Sequence, residues 1–414
     1  MPKRIIFHID VNSAFLSWSA VQRLRQGETL DLRTIPSVVG GDEQSRRGIV
    51  LAASLPAKHL GVRTGEPLFQ AREKAPNLIV VPADFDCFLA MSRAMRRLLY
   101  DFSPLVEPYS IDECFLDYTG MEGLFGPPLQ GAELIRRRIK DELGFTVNIG
   151  ISGNKILAKM ASDFEKPDRI HTLWPEEIAQ KMWPLPVGDL FMVGRSTRRA
   201  LQEMGIRTIG QLANSDPALL TVRFKSHGTL IWHYANGMEP SASPVRDCRP
   251  PYRCISNSTT TPRDIYDYSY AHSTLLMLCE HAAKRLRKQE LTATQVGVEL
   301  RRTDFSSISR QMRIPATDCT RTLYQACLQL FDDVWDRSPL RHVGVSFGGL
   351  TGMDGWQPSL FDGPELERLR TLEQTVDEIQ DRYGAASIQK AAVMDISHEM
   401  RRGNHNGPVT APSL

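Results

Sequence analysis

The 414-residue chain is poor in three things, and each shortage excludes a class of protein. No stretch stays apolar for eighteen residues, so no membrane-spanning helix is expected. The opening MPKRIIFHID reaches an aspartate after only a few apolar residues, too soon for a secretory signal. Cysteine is scarce and odd in number, seven in all with no C-x-x-C pair, which argues against a disulfide framework and a zinc ribbon. A reducing cytoplasm is the expected setting. Charge of one sign is also missing: 50 basic against 48 acidic residues leave +2, which alone gives no warrant for a polyanionic partner. What is present, 42% apolar and 24% charged residues at this length, suffices for two or more domains, each with its own core.

Hydrophobic periodicity organises the first part of the chain. Residues 4–10 form a short apolar run that reads as a buried strand ending on a carboxylate. Residues 86–100 carry Phe88, Leu89, Met91, Met95, Leu98 and Leu99 at helical spacing. Strand-like LVEPYS and CFLDY follow, with the sharp tetrapeptide SIDE between them, then a helix over 131–143 and the strand TVNIGI. With an insertion at residues 11–77 set aside, the order is strand, helix, strand, strand, helix, strand, the ferredoxin-like pattern. The insertion, with Gly40-Gly41, Arg46-Arg47-Gly48 and several prolines, reads as a small subdomain with turns. After residue 168, short helices are broken at Pro184, Pro186, Gly194, Gly205 and Gly210. A stretch at 238–252 with four prolines reads as an interdomain linker. A second α+β domain follows, with helices at 268–289 and 318–336 and strands in TQVGVELRR and SISRQMRI. The tail from about 351 holds a helix over 365–383, with apolar Leu366, Leu369, Leu372, Val376 and Ile379 available for docking.

The ferredoxin-like order has a chemical consequence. Its first and third strands are antiparallel neighbours, so Asp10 at the end of one lies beside Asp112 and Glu113 at the start of the other. Three gathered carboxylates repel unless cations sit among them. Oxygen-only donors suit Mg²⁺, which shares its shell with substrate phosphates, and two such ions serve phosphoryl transfer. Adjacent strand residues point to opposite faces, so Asp112 and Glu113 can both contribute only from a turn. Alternatively, these acids cap strand ends and face water; the pattern alone leaves both readings open.

At these residues the sequence resembles the Y-family of translesion DNA polymerases, from residue 4 to about 350. FHIDVNSAF, YSIDECFLD and GISGNKILAKMASDFEKPD stand in the family's order and spacing. The resemblance implies an α+β right-hand polymerase. Its palm would comprise 1–10 and 78–168, fingers 11–77, thumb 169–237, linker 238–252, little finger 253–350 and a clamp-binding tail 351–414. It implies template-directed, low-fidelity synthesis past damaged bases without proofreading, on primed DNA with deoxynucleoside triphosphates, by a monomer using two Mg²⁺ ions. Asp10, Asp112 and Glu113 match the metal-binding acids, and Val11 the position lending a backbone carbonyl. Phe15 matches the aromatic gate that leaves no room for a 2′-hydroxyl, and Lys166 the triphosphate-binding lysine. Where the polymerase IV branch has Tyr and Arg in the fingers, this chain has Leu55 and Lys58; Leu55 has no hydroxyl to offer, and Lys58 keeps charge without the guanidinium fork. Lys58, DVN and VEPYSIDE are similar to the polymerase V catalytic subunit. Gly40-Gly41-Asp42-Glu43 resembles the diguanylate cyclase signature, but it lies in the insertion and SIDE fills the hairpin, so it reads as a turn.

Residues 191–213 resemble the thumb's helix-hairpin-helix, with Arg195, Arg198 and Arg199 placed for phosphates; a plain helical hairpin is the alternative. Residues 283–313 hold eight basic residues, Arg301 and Arg302 among them, against three acidic ones, a surface expected to grip a duplex. Gln357, Leu360 and Phe361 form a Q-x-x-L-F peptide like those that bind a sliding clamp. From Trp356 onward the tail is net −3, leaving +5 for the rest. Two other functions stay in view: a catalytically silent adaptor binding clamp and DNA, and a cyclase acting on nucleotides alone.

Overall fold

The computed structural model describes residues 4–41, 46, 48–239, 244–245, 252–352 and 364–402. Strand β1 (Ile6–Val11) is buried along its whole length and leads through Ser13 into helix α1 (Ala14–Arg25). The insertion that follows builds a small sheet from β2 (Ser37–Gly40), β3 (Val50–Ala53) and β4 (Ile79–Pro82), in the order β3-β2-β4, with β2 and β4 parallel. Helices α2 (Leu55–His59) and α3 (Leu68–Lys74) pack on it around Val38, Val50, Ala57, Leu68 and Ala71.

Next come α4 (Phe85–Leu99), β5 (Val106–Pro108), β6 (Glu113–Asp117), α5 (Glu122–Phe125), α6 (Pro128–Arg138), β7 (Val147–Ser152), α7 (Lys155–Ser162) and β8 (Ile170–Thr172). With β1 they form a five-stranded sheet ordered β5-β6-β1-β7-β8. The first four of these strands have the expected ferredoxin-like arrangement, and β8 extends the sheet parallel to β7. Strand alternation sorts the two faces. Phe7, Ile9, Val11, Cys114 and Leu116 join one core with Phe88, Met95, Leu98, Ile135 and Ile139 of the helical layer. Ile6, His8 and Asp10 point to the opposite face, where α7 lies close: a Cβ at Gly150 would stand 1.9 Å from the carbonyl oxygen of Ala158.

Helices α8 (Arg195–Glu203), α9 (Ile209–Ala213), α10 (Pro217–Phe224) and α11 (Ser226–Ala235) share a core with α7 through Ile156, Leu157 and Met160. Most of the expected linker, 240–243 and 246–251, lies outside the described residues. Val245 within it is buried against Ile6, Phe115 and Ala158.

The last sheet runs β11-β10-β12-β9, from β9 (Cys254–Ile265), β10 (Leu291–Arg302), β11 (Ser307–Thr317) and β12 (Leu340–Gly348), with β13 (Thr351–Gly352) pairing the start of β10. Helices α12 (Tyr268–Lys288) and α13 (Thr320–Val334) cover one face, burying Leu275, Leu278, Cys279, Leu323, Cys327 and Phe331. The other face stays open, as alternating burial along β9 requires. Helices α14 (Pro364–Tyr383) and α15 (Ala391–Arg402) dock on the helical layer. The apolar stripe expected to seat α14 is partly used, with Leu369, Val376 and Ile379 half-buried and Leu372 58% exposed. Charge adds to it: Arg287 pairs with Glu373 and Asp377, Lys284 with Asp381, and Arg370 with Asp318. No helix among the described residues is long and apolar enough to cross a membrane.

Candidate active site

The antiparallel register of β1 and β6 sets Asp10 directly opposite Glu113, on the face away from the α4–α6 layer. Asp112 lies in the bend just before β6, as two contributing neighbours require, and its carbonyl accepts from the Val11 N–H at 3.1 Å. Ser110 Oγ donates to the Asp112 carboxylate at 2.6 Å. Like charges directly across a strand pair repel, and the chain answers with two ammonium groups. Lys166 Nζ bonds Asp10 and also reaches Asp163 at 2.7 Å. Lys159 Nζ donates to Glu113 Oε2 at 2.8 Å.

The two carboxylates respond differently. Burial pushes the Asp10 carboxyl up to about 6, only partly offset by Lys166. Burial also opposes charge on Glu113, but the Lys159 ammonium bonded to it outweighs this and holds the carboxyl below the usual carboxylate range. His8, fully buried, is kept below the usual imidazole range by desolvation. Its Nδ1 meets Ser162 Oγ at 2.8 Å, while its Nε2 stands 3.6 Å from Glu113 Oε2, an electrostatic contact too long for a hydrogen bond.

The backbone thus brings Asp10, Asp112 and Glu113 to one sheet end, as the topology requires, but their side chains are not drawn into one cluster. Among the described residues, no three acidic, histidine or cysteine side chains are grouped to hold an ion. Lysines serve as counterions to these acids, Lys166 to Asp10 and Lys159 to Glu113, and draw the two carboxylates to different partners. The donor set nonetheless fits a hard divalent cation. It is all oxygen, and the burial that pushes the Asp10 carboxyl up is a cost that added positive charge beside it would offset.

Lys58 and Lys166 stand close together. Lys58 Nζ donates to Ser13 Oγ at 2.8 Å, and burial and the Lys166 ammonium hold it below the usual lysine range. Two crowded ammoniums beside the sheet end make a place for a polyanion. Leu55 begins α2 nearby in sequence and is 43% exposed. Phe15 is fixed by aromatic packing: its ring stacks on Phe88 at 4.6 Å and meets Phe85 and Trp18.

Residues that the sequence reading did not single out hold the site in place. Asn12 donates to Asn148 Oδ1 at 3.0 Å and accepts from the Asp168 N–H at 2.9 Å. Asn148 donates to the carbonyls of Ser162 and Glu165. These two buried amides tie the Glu-Lys-Pro-Asp turn carrying Lys166 to β1 and β7. Lys159 had a readable signal: it lies four residues after Lys155 on a short helix otherwise built for burial.

Arg195, Arg198 and Arg199 are exposed and share one side of α8; the Arg198 stem crosses Gly188, and Arg199 pairs with Glu203. Arg301 and Arg302 point to opposite faces of β10. Arg301 lies on the open face and donates to Ser307 Oγ, whereas Arg302 pairs with Asp336. The single basic surface expected over 283–313 is thus divided, because α12 contributes Lys284 and Arg287 to the docking of α14 instead. Gln357, Leu360 and Phe361 lie outside the described residues, as do Asp42 and Glu43.

The fold has a solved counterpart. A chimeric Y-family DNA polymerase superposes with a TM-score of 0.70 over 84% of this chain and 99% of its own, at 22% identity. The architecture is accordingly that of a right-hand polymerase with palm, fingers, helical thumb and α+β little finger. Family models described as the impB/mucB/samB family match residues 9–163, its C-terminal domain 253–360, and an IMS family HHH motif 175–206. Proteins named DNA polymerase IV are similar along almost the whole chain: 46% identity for that of Clostridium acetobutylicum, over 95% of this chain and 98% of the relative. That of Acetivibrio thermocellus is 34% identical over 95% and 98%, and DNA polymerase IV 2 of Bacillus subtilis 35% over 95% of each. The chain belongs to the impB/mucB/samB family of Y-family polymerases and is a DNA-directed DNA polymerase.

Proposed function

We propose that the chain extends primed DNA past damaged bases by divalent-metal-assisted nucleotidyl transfer, with two Mg²⁺ ions, the low fidelity its family resemblance implies, and no proofreading. The observation that carries this reading is the register placing Asp10 opposite Glu113 with Asp112 in the adjoining bend. Asp10, Asp112, Glu113 and the Val11 carbonyl would hold the metal. Bound there, it would supply Lewis-acid activation of the primer hydroxyl and neutralise triphosphate charge.

The chain's own residues do the rest. Lys58 and Lys166 bind the triphosphate as point charges, so the missing fingers hydroxyl at Leu55 is compensated by charge rather than by a neutral hydrogen bond. Phe15, held flat on Phe88, bars a 2′-hydroxyl. Arg195, Arg198 and Arg199 on α8 position the DNA backbone, and Arg301 meets it from the open face of the little finger. The proposed domain limits are palm 1–10 and 78–168, fingers 11–77, thumb 169–237, linker 238–252 and little finger 253–350, although α1 packs into the palm core through Leu16 and Trp18 and α7 shares the core of the thumb. The tail from 351 carries Gln357, Leu360 and Phe361 as a sliding-clamp peptide. The working form is a cytoplasmic monomer.

The deciding experiment is Asp112→Ala in Mg²⁺-dependent primer extension with DNA binding measured in parallel. Extension should be abolished and binding largely retained; undiminished extension would sink the reading.

A further inference from the structure

Lys159 has 9% of its surface exposed, and its ammonium is enclosed on three sides. Besides the 2.8 Å bond to Glu113 Oε2, Nζ lies 5.1 Å from the ring centre of Tyr109 and 5.3 Å from that of Phe191. Tyr109 belongs to the connection between β5 and β6. Phe191 lies just before α8, where its ring stacks with Tyr234 of α11 and its N–H points to Met160 Sδ at 3.4 Å. The two rings meet edge-on at 6.2 Å. The walls of this box thus come from the sheet, from α7 and from the helical region beyond it. An ammonium that has lost most of its water recovers stabilisation from a carboxylate and two ring faces together, and a box of this kind holds it in one place. His8, fixed by Ser162, faces the same Oε2 from another direction.

We propose that Lys159 is a positioning residue for Glu113: its ammonium holds Oε2 until a divalent cation competes for that carboxylate, and the Tyr109–Phe191 box couples this hold to the seating of the thumb. The proposal rests on the reading of Glu113 as a metal ligand. Two effects of losing the ammonium then oppose each other. Metal affinity rises because a competing charge is gone, while catalysis falls because Glu113 is no longer held. A residue that merely supports the fold would lower both.

The test measures Mn²⁺ binding by electron paramagnetic resonance on the full chain with primed DNA, and Mg²⁺-dependent extension separately. Lys159→Met should bind Mn²⁺ about thirty-fold more tightly, the factor that a unit charge ~4 Å from a divalent ion exerts through a water-like medium. Its extension rate should nonetheless fall about ten-fold or more, as expected when a reacting group is no longer positioned. Phe191→Leu, which loosens the box and leaves the charge in place, should shift Mn²⁺ affinity in the same direction by a smaller factor. Unchanged Mn²⁺ affinity in folded Lys159→Met overturns the proposal. If that variant does not fold, unchanged affinity in Phe191→Leu does so instead. Wild-type Mn²⁺ affinity in Glu113→Gln would remove the metal-ligand reading and the proposal with it, a result separable from failure at Lys159 alone.

Discussion

Arg287 offers the sharpest test of how the C-terminal helix is held. Only 8% of its side chain is exposed, and its guanidinium makes a fork with Asp377, Nε to Oδ2 at 2.6 Å and Nη2 to Oδ1 at 3.1 Å. Its Nη1 reaches Glu373 at 2.8 Å, and the Asp318 carbonyl and Thr320 Oγ1 at 3.1 Å each. Glu373 in turn accepts from the Thr320 N–H at the start of α13. Replacing Arg287 by Ala leaves two carboxylates without their cation, with side chains only 14% and 18% exposed. Removing one partner of a buried pair costs about 3–5 kcal/mol, and residual solvent contact puts this case near the lower end, about 3 kcal/mol. In a unit of roughly 150 residues, that corresponds to a fall in melting temperature of about 9 °C. Thermal unfolding of the full chain, with hydrogen exchange of α14 amides, reads both the loss and its location. Arg287→Met combined with Glu373→Gln and Asp377→Asn should recover most of the loss, because the penalty lies in stranded charge rather than in missing attraction. A melting temperature within about 2 °C of wild type for Arg287→Ala would refute the reasoning.

Three further expectations follow from other parts of the molecule. Phe15→Ala should raise ribonucleotide incorporation, read as the ratio of ribo- to deoxynucleotide extension on one template, while Phe85 and Phe88 keep the pocket folded; an unchanged ratio would remove the gate assignment. Gly150→Ala should cost ~3 kcal/mol or more in urea unfolding, because the new methyl meets the backbone of α7, which cannot swing aside as a side chain could; a midpoint equal to wild type would mean that α7 is not packed on β7 as described. Burial raises the Glu280 carboxyl above its usual 4.5, with Lys390 at 3.1 Å offsetting part of the effect. A carboxyl raised on folding stabilises most below its unfolded pKa and loses that contribution as pH rises through the folded value. Glu280→Gln should therefore be more stable than wild type at pH 7, with the advantage vanishing towards pH 4, as urea midpoints at the two pH values would report.

Much of the fold was legible because its periodicities are strong. The apolar spacing in 86–100 becomes α4 within a residue at either end, and the expected helices at 268–289 and 318–336 become α12 and α13 with small changes. Strand β9 was harder to read: CISNSTTTPRDI has few apolar residues, and it is a strand because Ile255, Asn257, Thr259 and Thr261 are buried beneath helices while their neighbours face outward. At the site, the sheet register was legible and the side-chain partners were not. Ferredoxin-like topology puts residues 10 and 113 side by side whatever their identity. That Lys166 would turn to Asp10, and Lys159 to Glu113, depends on the path of α7 and the turn after it, which no local pattern encodes. Asn12 and Asn148 were invisible for the same reason, since a buried amide is recognised by what surrounds it.

The same contrast alters the meaning of the charge distribution. An acidic tail and a basic body give a chain near neutrality, and a local excess of basic residues over 283–313 suggested a free cationic surface. In the fold, part of that excess is already matched: Asp377 and Glu373 take Arg287, Asp381 takes Lys284, and Asp336 takes Arg302. The tail's acidity is thus partly the complement of the helical layer on which it docks. What remains for a polyanion is Arg301 with Arg310 and Arg313 exposed in the last sheet, the exposed arginines of α8, and the paired lysines beside Asp10. In these places cations are concentrated by geometry rather than by net charge. Weak overall attraction with strong local sites follows from this arrangement, and a variant that neutralises Lys58 should affect nucleotide use far more than DNA affinity.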